Sequence, residues 1–212
     1  MDVPFEEISL VHDVYSKIAN SFDKTRKSIW KCVQNFLSKL DSSSKIIDCG
    51  CGNGKNVDFL LKKGFTNISS FDYCQEFVEM CLERGHNCFR GDVCNIPLTS
   101  NTFDAVLSIA VIHHLYGKDR IRQAISELIR ITKPNGYILI TVLSKEKHSE
   151  CVNISKGLND NTLKWTLPGE TLQRYYYFFT LEELSELLNS FNITYEIKEE
   201  MGNWVIKIQR VF

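Results

Sequence analysis

The run Asp48-Cys49-Gly50-Cys51-Gly52-Asn53-Gly54 is the part of the chain best suited to holding a ligand. Glycines at alternate positions let the backbone take positive φ and approach a bound molecule closely. Two phosphate-binding readings fail on spacing. A dinucleotide loop needs G-x-G-x-x-G, whose third glycine lets the following helix pack, and the spacing here is G-x-G-x-G. A P-loop needs Gly-Lys-Ser/Thr, and Lys55 is followed by Asn56. Asp72 ends a strand twenty residues after Gly52, where a carboxylate can accept from both hydroxyls of a ribose. Asp92 follows in Gly91-Asp92-Val93. His113-His114 is the other pair with chemical potential, as a general base or a hydrogen-bond donor. Adjacent side chains point in different directions, so only one is expected to face a pocket, and His113 is the preferred one.

The eight cysteines show neither a dense disulfide spacing nor a C-x-x-C pair. No metal site is expected, and Cys74 and Cys81 read as small core residues on one helix face. The acidic start Met1-Asp2-Val3-Pro4-Phe5-Glu6-Glu7 lacks a basic n-region and an apolar h-region. The thiols are therefore expected to be reduced, in the cytoplasm or the nucleus. No window approaches the apolar length of a membrane span. A net charge of −1 disfavours a strongly basic, non-specific nucleic-acid binder.

These residues need a scaffold, and the order of elements supplies one. With 212 residues, 43% of them hydrophobic, the chain reads as a single domain over 1–212. Residues 6–20 and 26–40 read as N-terminal helices, the second carrying an apolar stripe through Ile29, Trp30, Val33, Phe36, Leu37 and Leu40. Strands are expected at 45–49, 68–72, 87–90, 103–110 and 137–143, alternating with helices at 55–63, 75–84 and 118–131. Lys133–Gly136 reads as a turn. Thr180-Leu-Glu-Glu183 is a capping box opening a helix to about Phe191, and strands at 194–198 and 204–210 are close enough for a hairpin. Such alternation means an α/β fold with a parallel sheet covered on both faces. Residues 144–173 lack periodicity and are expected to be a long substrate-side loop.

An acidic residue before G-x-G-x-G resembles the S-adenosyl-L-methionine loop of class I methyltransferases, and the element order resembles their Rossmann-like seven-stranded sheet with an antiparallel C-terminal strand pair. That resemblance implies S-adenosyl-L-methionine as cofactor. It implies Asp48 toward the ammonium end, Asp72 on the ribose and Asp92 near the adenine amine. Gly50, Gly52, Asn53, Val93 and Ser108 complete the implied cofactor site. Amine acceptors often use an Asn/Asp-Pro-Pro-aromatic tetrad after the fourth strand; Ser108-Ile109-Ala110-Val111-Ile112-His113-His114 stands there, without proline. Cytosine-carbon methylation needs a cysteine typically beside proline, and no Pro-Cys dipeptide exists.

Tyr15-Ser-Lys-Ile-Ala19, Phe22, Thr25-Arg26, Trp30, the glycine loop through Lys55, Ser108–His114, Arg174-Tyr-Tyr176 and Asn203-Trp204 run in a familiar order. It resembles that of the eukaryotic tRNA wobble-uridine carboxymethyl methyltransferases. These also occur as the methyltransferase domain of a larger tRNA hydroxylase. The resemblance implies methyl esterification of 5-carboxymethyluridine in the tRNA anticodon loop. It also implies a small zinc-binding activator subunit along the third strand at Asn87, Cys88 and Phe89, where a partner would cover an exposed edge. An acceptor carboxylate has a pKa near about 4 and needs no strong base. It needs a cation, for which Arg26 and Arg174 are candidates beside His113. Tyr15, Tyr175, Tyr176 and Trp204 offer stacking surfaces for an unstacked base. Lys17, Lys24, Lys27, Lys31, Lys145, Lys147, Lys156 and Lys164, with Arg26, would form a tRNA-facing patch. Where the family usually has a Lys-Pro-Trp-Pro-like run, this chain has Lys27-Ser28-Ile29-Trp30-Lys31, and the insert before Arg174 is short. A small-molecule O- or C-methyltransferase and a non-catalytic cofactor-binding scaffold share the same fold and remain alternatives.

Overall fold

In the computed structural model, which describes residues 2–148 and 160–211, seven strands form one sheet and two more form a separate hairpin. The sheet runs β3-β2-β1-β4-β5-β9-β8. Its strands are β1 Ile46–Cys49, β2 Ile68–Asp72, β3 Cys88–Arg90, β4 Phe103–Ile109, β5 Thr132–Leu143, β8 Ile193–Glu200 and β9 Asn203–Arg210. Pairing is parallel from β3 to β5, while β9 is antiparallel to both β5 and β8. The chain order reverses between β1 and β4, which opens a crevice at their carboxyl ends.

Period-2 alternation sends neighbouring side chains to opposite faces of the sheet. Ile47, Val106, Ile138 and Ile206 pack with Ile121, Ile125 and Leu128 of helix α6 (Lys118–Ile131) and with Leu184 and Leu188 of α8 (Leu181–Asn189). Ile46, Leu107, Leu139 and Val205 pack on the other face, against Val33 and Phe36 of α3 (Lys31–Leu37) and Val57 and Leu60 of α4 (Lys55–Lys62). Helix α8 opens with the expected capping box: Thr180 accepts from the Glu183 N–H, and the Glu183 carboxylate accepts from the Thr180 N–H. Helix α5, Gln75–Glu83, links β2 to β3.

Four regions depart from expectation. The N-terminal helix is longer, running through α1 (Phe5–Glu7), a π-helical segment (Ile8–His12) and α2 (Asp13–Thr25). The wider π turn faces residues five apart, and Glu7 Oε1 meets His12 Nε2 at 3.2 Å. Residues 26–30 are not helical. Asn53 Nδ2 donates to the Arg26 carbonyl and Lys55 Nζ to the Ser28 carbonyl, both at 3.1 Å, so these carbonyls serve the glycine loop instead of a helix. The long loop expected over 144–173 is structured in large part. A short helix α7, Lys145–His148, follows β5, and β6 (Asp160–Leu167) pairs antiparallel with β7 (Glu170–Tyr177). Lys156 and Cys151 lie outside the described residues. The pairing of β5 starts earlier than residue 137, with a register shift that absorbs the expected turn at Lys133–Gly136. Met201 and Gly202 alone turn the β8–β9 hairpin, both at positive φ.

Candidate functional site

A cavity of about 550 Å³ occupies the crevice at the carboxyl ends of β1 and β4. Gly50, Cys51, Gly52 and Asn53 form its floor, with φ of +78° at Gly50. A Cβ at Gly50 would stand 2.4 Å from Val111 Cγ2, so the loop reaches its position only with glycine there. The Gly50 and Cys51 N–H groups donate to the Phe71 carbonyl at 2.8 and 2.9 Å, which ties the loop to β2.

Asp72 ends β2 and borders the cavity. Its Oδ2 accepts from the Gly52 N–H at 2.8 Å and its Oδ1 from the Cys74 N–H at 2.9 Å. One lone pair per oxygen is thereby left for hydroxyl donors. Burial pushes its carboxyl up to about 6 despite these two bonds. Asp48 is fully buried behind the loop; burial pushes it up to about 7, against a 3.2 Å hydrogen bond from Asn56 Nδ2. Its Oδ1 has no partner, and Asn56 stands between it and the cavity wall. A buried carboxylate with an unfilled acceptor suits a cationic ligand.

The adenine-side expectation needs adjustment. Asp92 and Val93 do border the cavity, but both Asp92 oxygens accept from Arg120 Nη2, at 3.2 and 3.0 Å. Arg120 also pairs with the buried Glu7 at 2.8 Å. Any ligand amine at Asp92 shares the carboxylate with this pair. Ser108 departs further: it is fully buried, and it is not part of the cavity wall. The ring of His12 stacks on Tyr73 at 3.6 Å, and both line the cavity, a pair with no periodicity signal in the sequence.

The part of the cavity where the acceptor is expected is built by β7, α2 and the 3-10 turn Ile112–His114. Arg174 is 7% exposed and borders the cavity. Its guanidinium lies 4.6 Å from the Trp165 ring centre, 5.3 Å from Tyr176 and 5.7 Å from Tyr15. Its Nη1 donates to the Tyr15 hydroxyl at 3.3 Å, and its Nε has no partner. Among the described residues no carboxylate lies within ion-pair distance of it. Arg26 borders the same cavity from the solvent side, over Phe22 and Trp165.

Both histidines reach the cavity, where one was expected. In a 3-10 turn neighbouring side chains are about 120° apart, so both can face one space. The Leu143 N–H donates to His113 Nδ1 at 3.2 Å, which fixes the proton on Nε2. Burial holds the His113 ring well below its usual range, so it is neutral. His114 Nδ1 bonds the Tyr175 carbonyl at 3.0 Å and must donate; its Nε2 then accepts from the Tyr15 hydroxyl at 2.9 Å. Burial pushes His114 down to about 3.

Tyr15 and Tyr176 border the cavity, whereas Tyr175 and Trp204 do not. Tyr175 packs on Tyr116 in the core, and Trp204 donates to the Phe179 carbonyl at 3.0 Å. Asn203 borders the cavity in place of its neighbour Trp204, with its Oδ1 buried and unpartnered.

A family described as a methyltransferase domain matches residues 47–140. The Schizosaccharomyces pombe tRNA (carboxymethyluridine(34)-5-O)-methyltransferase is 33% identical over 213 residues, which covers 90% of this chain and 90% of that protein. This chain belongs to the tRNA (carboxymethyluridine(34)-5-O)-methyltransferase family. The Arabidopsis thaliana family member is 35% identical over 190 residues; the match covers 86% of this chain and under half, 46%, of the Arabidopsis protein. Two solved structures carry the same fold. A DhpI–SAH complex has a TM-score of 0.75 at 16% identity, covering 99% of each chain. The methyltransferase in a complex with the Haloferax volcanii Trm112 activator has a TM-score of 0.68 at 14% identity, covering 95% of this chain and 98% of that one. The fold is that of class I S-adenosylmethionine-dependent methyltransferases. In this family member the glycine loop, Asp72, Asp92 and Val93 converge on one cavity with Tyr15, His113, Arg174 and Tyr176.

Proposed function

We propose that this chain transfers a methyl group from S-adenosyl-L-methionine to the carboxylate of 5-carboxymethyluridine at the wobble position of tRNA. The observation that carries this reading is Arg174, a buried guanidinium that borders the donor crevice and has no acidic partner among the described residues. A buried cation of that kind calls for an anionic ligand. Family membership names the anion, since the relatives' printed activity is at carboxymethyluridine.

When bound, S-adenosyl-L-methionine supplies a sulfonium-activated methyl carbon; a carboxylate oxygen takes the methyl as the carbon–sulfur bond breaks. Asp72 would hold the donor's hydroxyls, Asp48 through Asn56 its cationic end, and Gly50 and Gly52 allow its close approach. Arg174 orients the acceptor carboxylate with the part of its guanidinium that borders the cavity. His113 Nε2–H stands as a neutral hydrogen-bond donor to the acceptor. No proton has to be removed, because the acceptor is ionised at neutral pH. The ester product is neutral, so the attraction to Arg174 falls once the methyl has moved. Tyr176 offers its face to an unstacked base.

A zinc-binding activator subunit along β3 belongs to the same proposal. β3 is the parallel edge of the sheet, and the Haloferax volcanii complex pairs a chain of this fold with a Trm112 activator. The test incubates the chain and an activator with labelled methyl donor and tRNA bearing carboxymethyluridine. An alkali-labile methyl ester is expected, and its absence refutes the assignment.

A further inference from the structure

Beneath the glycine loop three cysteines meet that methyl transfer does not use. Cys51 comes from the loop, Cys81 from α5 and Cys88 from β3. Cys51 Sγ lies 3.8 Å from both Cys81 Sγ and Cys88 Sγ, and the three sulfurs all fall within 4.8 Å of one another. All three are buried. Zinc bound tetrahedrally at about 2.3 Å from each thiolate sets its sulfurs about 3.8 Å apart. The two closest separations match that edge.

A fourth donor borders the same corner, more than 4.8 Å from at least one of the three sulfurs, so its ring must move inward to share an ion with them. A Cβ at Gly54 would lie 2.8 Å from Cys81 Sγ and 2.8 Å from His86 Nδ1, so both atoms border one small space. His86 is 5% exposed, and its Nδ1 has no hydrogen-bond partner. Its Nε2 lies 3.0 Å from Asp58 Oδ1. That bond keeps the proton on Nε2 and leaves the Nδ1 lone pair unused. A carboxylate holding the far nitrogen of an imidazole is the usual support of a zinc-ligating histidine.

We propose that Cys51, Cys81, Cys88 and His86 Nδ1 form a structural zinc site that braces the cofactor loop. Binding releases the three thiol protons to solvent, and the ion stays divalent. The site joins three elements that converge on the donor. Cys51 sits between Gly50 and Gly52, Cys81 Sγ lies 3.5 Å from the Gly52 carbonyl, and the Gly52 N–H is the donor to Asp72. An ion there fixes the backbone that carries the proposed ribose contact. This inference concerns the chain's own side chains and stands whichever acceptor is methylated.

The test uses the full chain, reduced and freed of metal with a chelator. Cobalt(II) is titrated in first, as a spectroscopic stand-in, and zinc second. One tetrahedral thiolate-bound cobalt per chain is expected, displaced by zinc, with a rise in melting temperature. Asp58→Asn leaves all four ligands in place and should weaken the ion's affinity by about 10–100-fold. Cys88→Ser should abolish the thiolate charge-transfer band, while Cys32→Ala should keep it. Zinc should also tighten adenosylhomocysteine binding by calorimetry in the native chain and not in Cys88→Ser. A native chain that gives no tetrahedral cobalt spectrum overturns the proposal, and the three cysteines are then packed thiols only. A spectrum that survives in Cys88→Ser overturns it equally.

Discussion

Arg174 Nη1 donates to the Tyr15 hydroxyl across 3.3 Å, although the two residues are 159 positions apart. The same phenol donates its own proton to His114 Nε2 at 2.9 Å, and His114 Nδ1 donates to the Tyr175 carbonyl at 3.0 Å. Burial raises the Tyr15 hydroxyl well above its usual range, so it keeps its proton at any working pH. The relay therefore has one direction, from guanidinium to phenol to imidazole to backbone. It holds the cation in place while leaving Nε unused.

Replacing Arg174 with alanine should lower kcat/KM by about 10- to 100-fold, the loss of a charge-assisted hydrogen bond worth about 1.5–3 kcal/mol. Adenosylhomocysteine affinity should stay near native. Steady-state kinetics beside calorimetry separate the two. Arg174→Lys should recover little, because a point charge does not reproduce the fork. Equal loss of donor affinity would make Arg174 structural instead.

Asp72→Ala should weaken donor binding by about 1–3 kcal/mol through lost hydrogen bonds to the hydroxyls and to the Gly52 N–H. Calorimetry with adenosylhomocysteine reads this directly. An unchanged Kd would remove Asp72 from the cofactor site.

The donor site should respond to pH. Burial raises Asp48 from 3.8 to about 7 and Asp72 from 3.8 to about 6. A carboxyl whose folded value is raised keeps its proton longer in the folded state, so its contribution to stability falls as pH rises between the two values. The ligand-free chain should accordingly lose stability from about pH 4 to 7 relative to Asp48→Asn. A cationic donor favours the ionised form, so its affinity should rise with pH up to about 7 and then level off. Calorimetry across that window checks the slope, which Asp48→Asn should flatten.

Glu7 is completely buried, and Arg120 donates to both its oxygens at 2.8 Å. Glu7→Ala leaves Arg120 with Asp92 as its remaining carboxylate and should cost about 1–3 kcal/mol in denaturant unfolding. Burial alone would raise the Glu7 carboxyl; the bonds from His12, Arg120 and the Tyr116 N–H outweigh it and hold the group below 4.5. Stability from this pair is complete above 4.5 and is lost as pH falls through the lowered value.

Gly50→Ala should destabilise the chain by about 1–3 kcal/mol through overlap with Val111. Val111→Ala in the same chain should restore the steric part and leave the strain of positive φ, about 1–2 kcal/mol. A double-mutant cycle by thermal unfolding measures the difference. No recovery in the double variant would show that backbone strain alone is at work.

The parallel half of the sheet was legible because β1, β4 and β5 carry apolar runs and α4 and α5 stop at Gly64 and Gly85. The glycine loop and Asp72 were legible because they follow β1 and end β2, two neighbouring parallel strands whose carboxyl ends lie on one side of the sheet. Ser108 and Trp204 were misplaced for the opposite reason: each lies in a motif whose neighbours face the cavity, and sequence order does not give direction. The β6–β7 hairpin did leave a signal. Leu163, Trp165 and Leu167 alternate with polar residues ahead of Pro168-Gly169, and Gly169 has φ of +82°. The polar stretch before it masked that pattern. The cysteine cluster had no local signal, since its members stand 30 and 7 positions apart and meet only through the fold of β1, α5 and β3.

The hairpin that carries Arg174 pairs with no strand of the main sheet. It packs instead on α2, on the π-helical segment and on the Ile112–His114 turn, so the proposed acceptor residue and the donor crevice are built by separate modules. An engineer could graft a different hairpin here to redirect the enzyme toward another nucleophile, with the crevice beneath it left untouched.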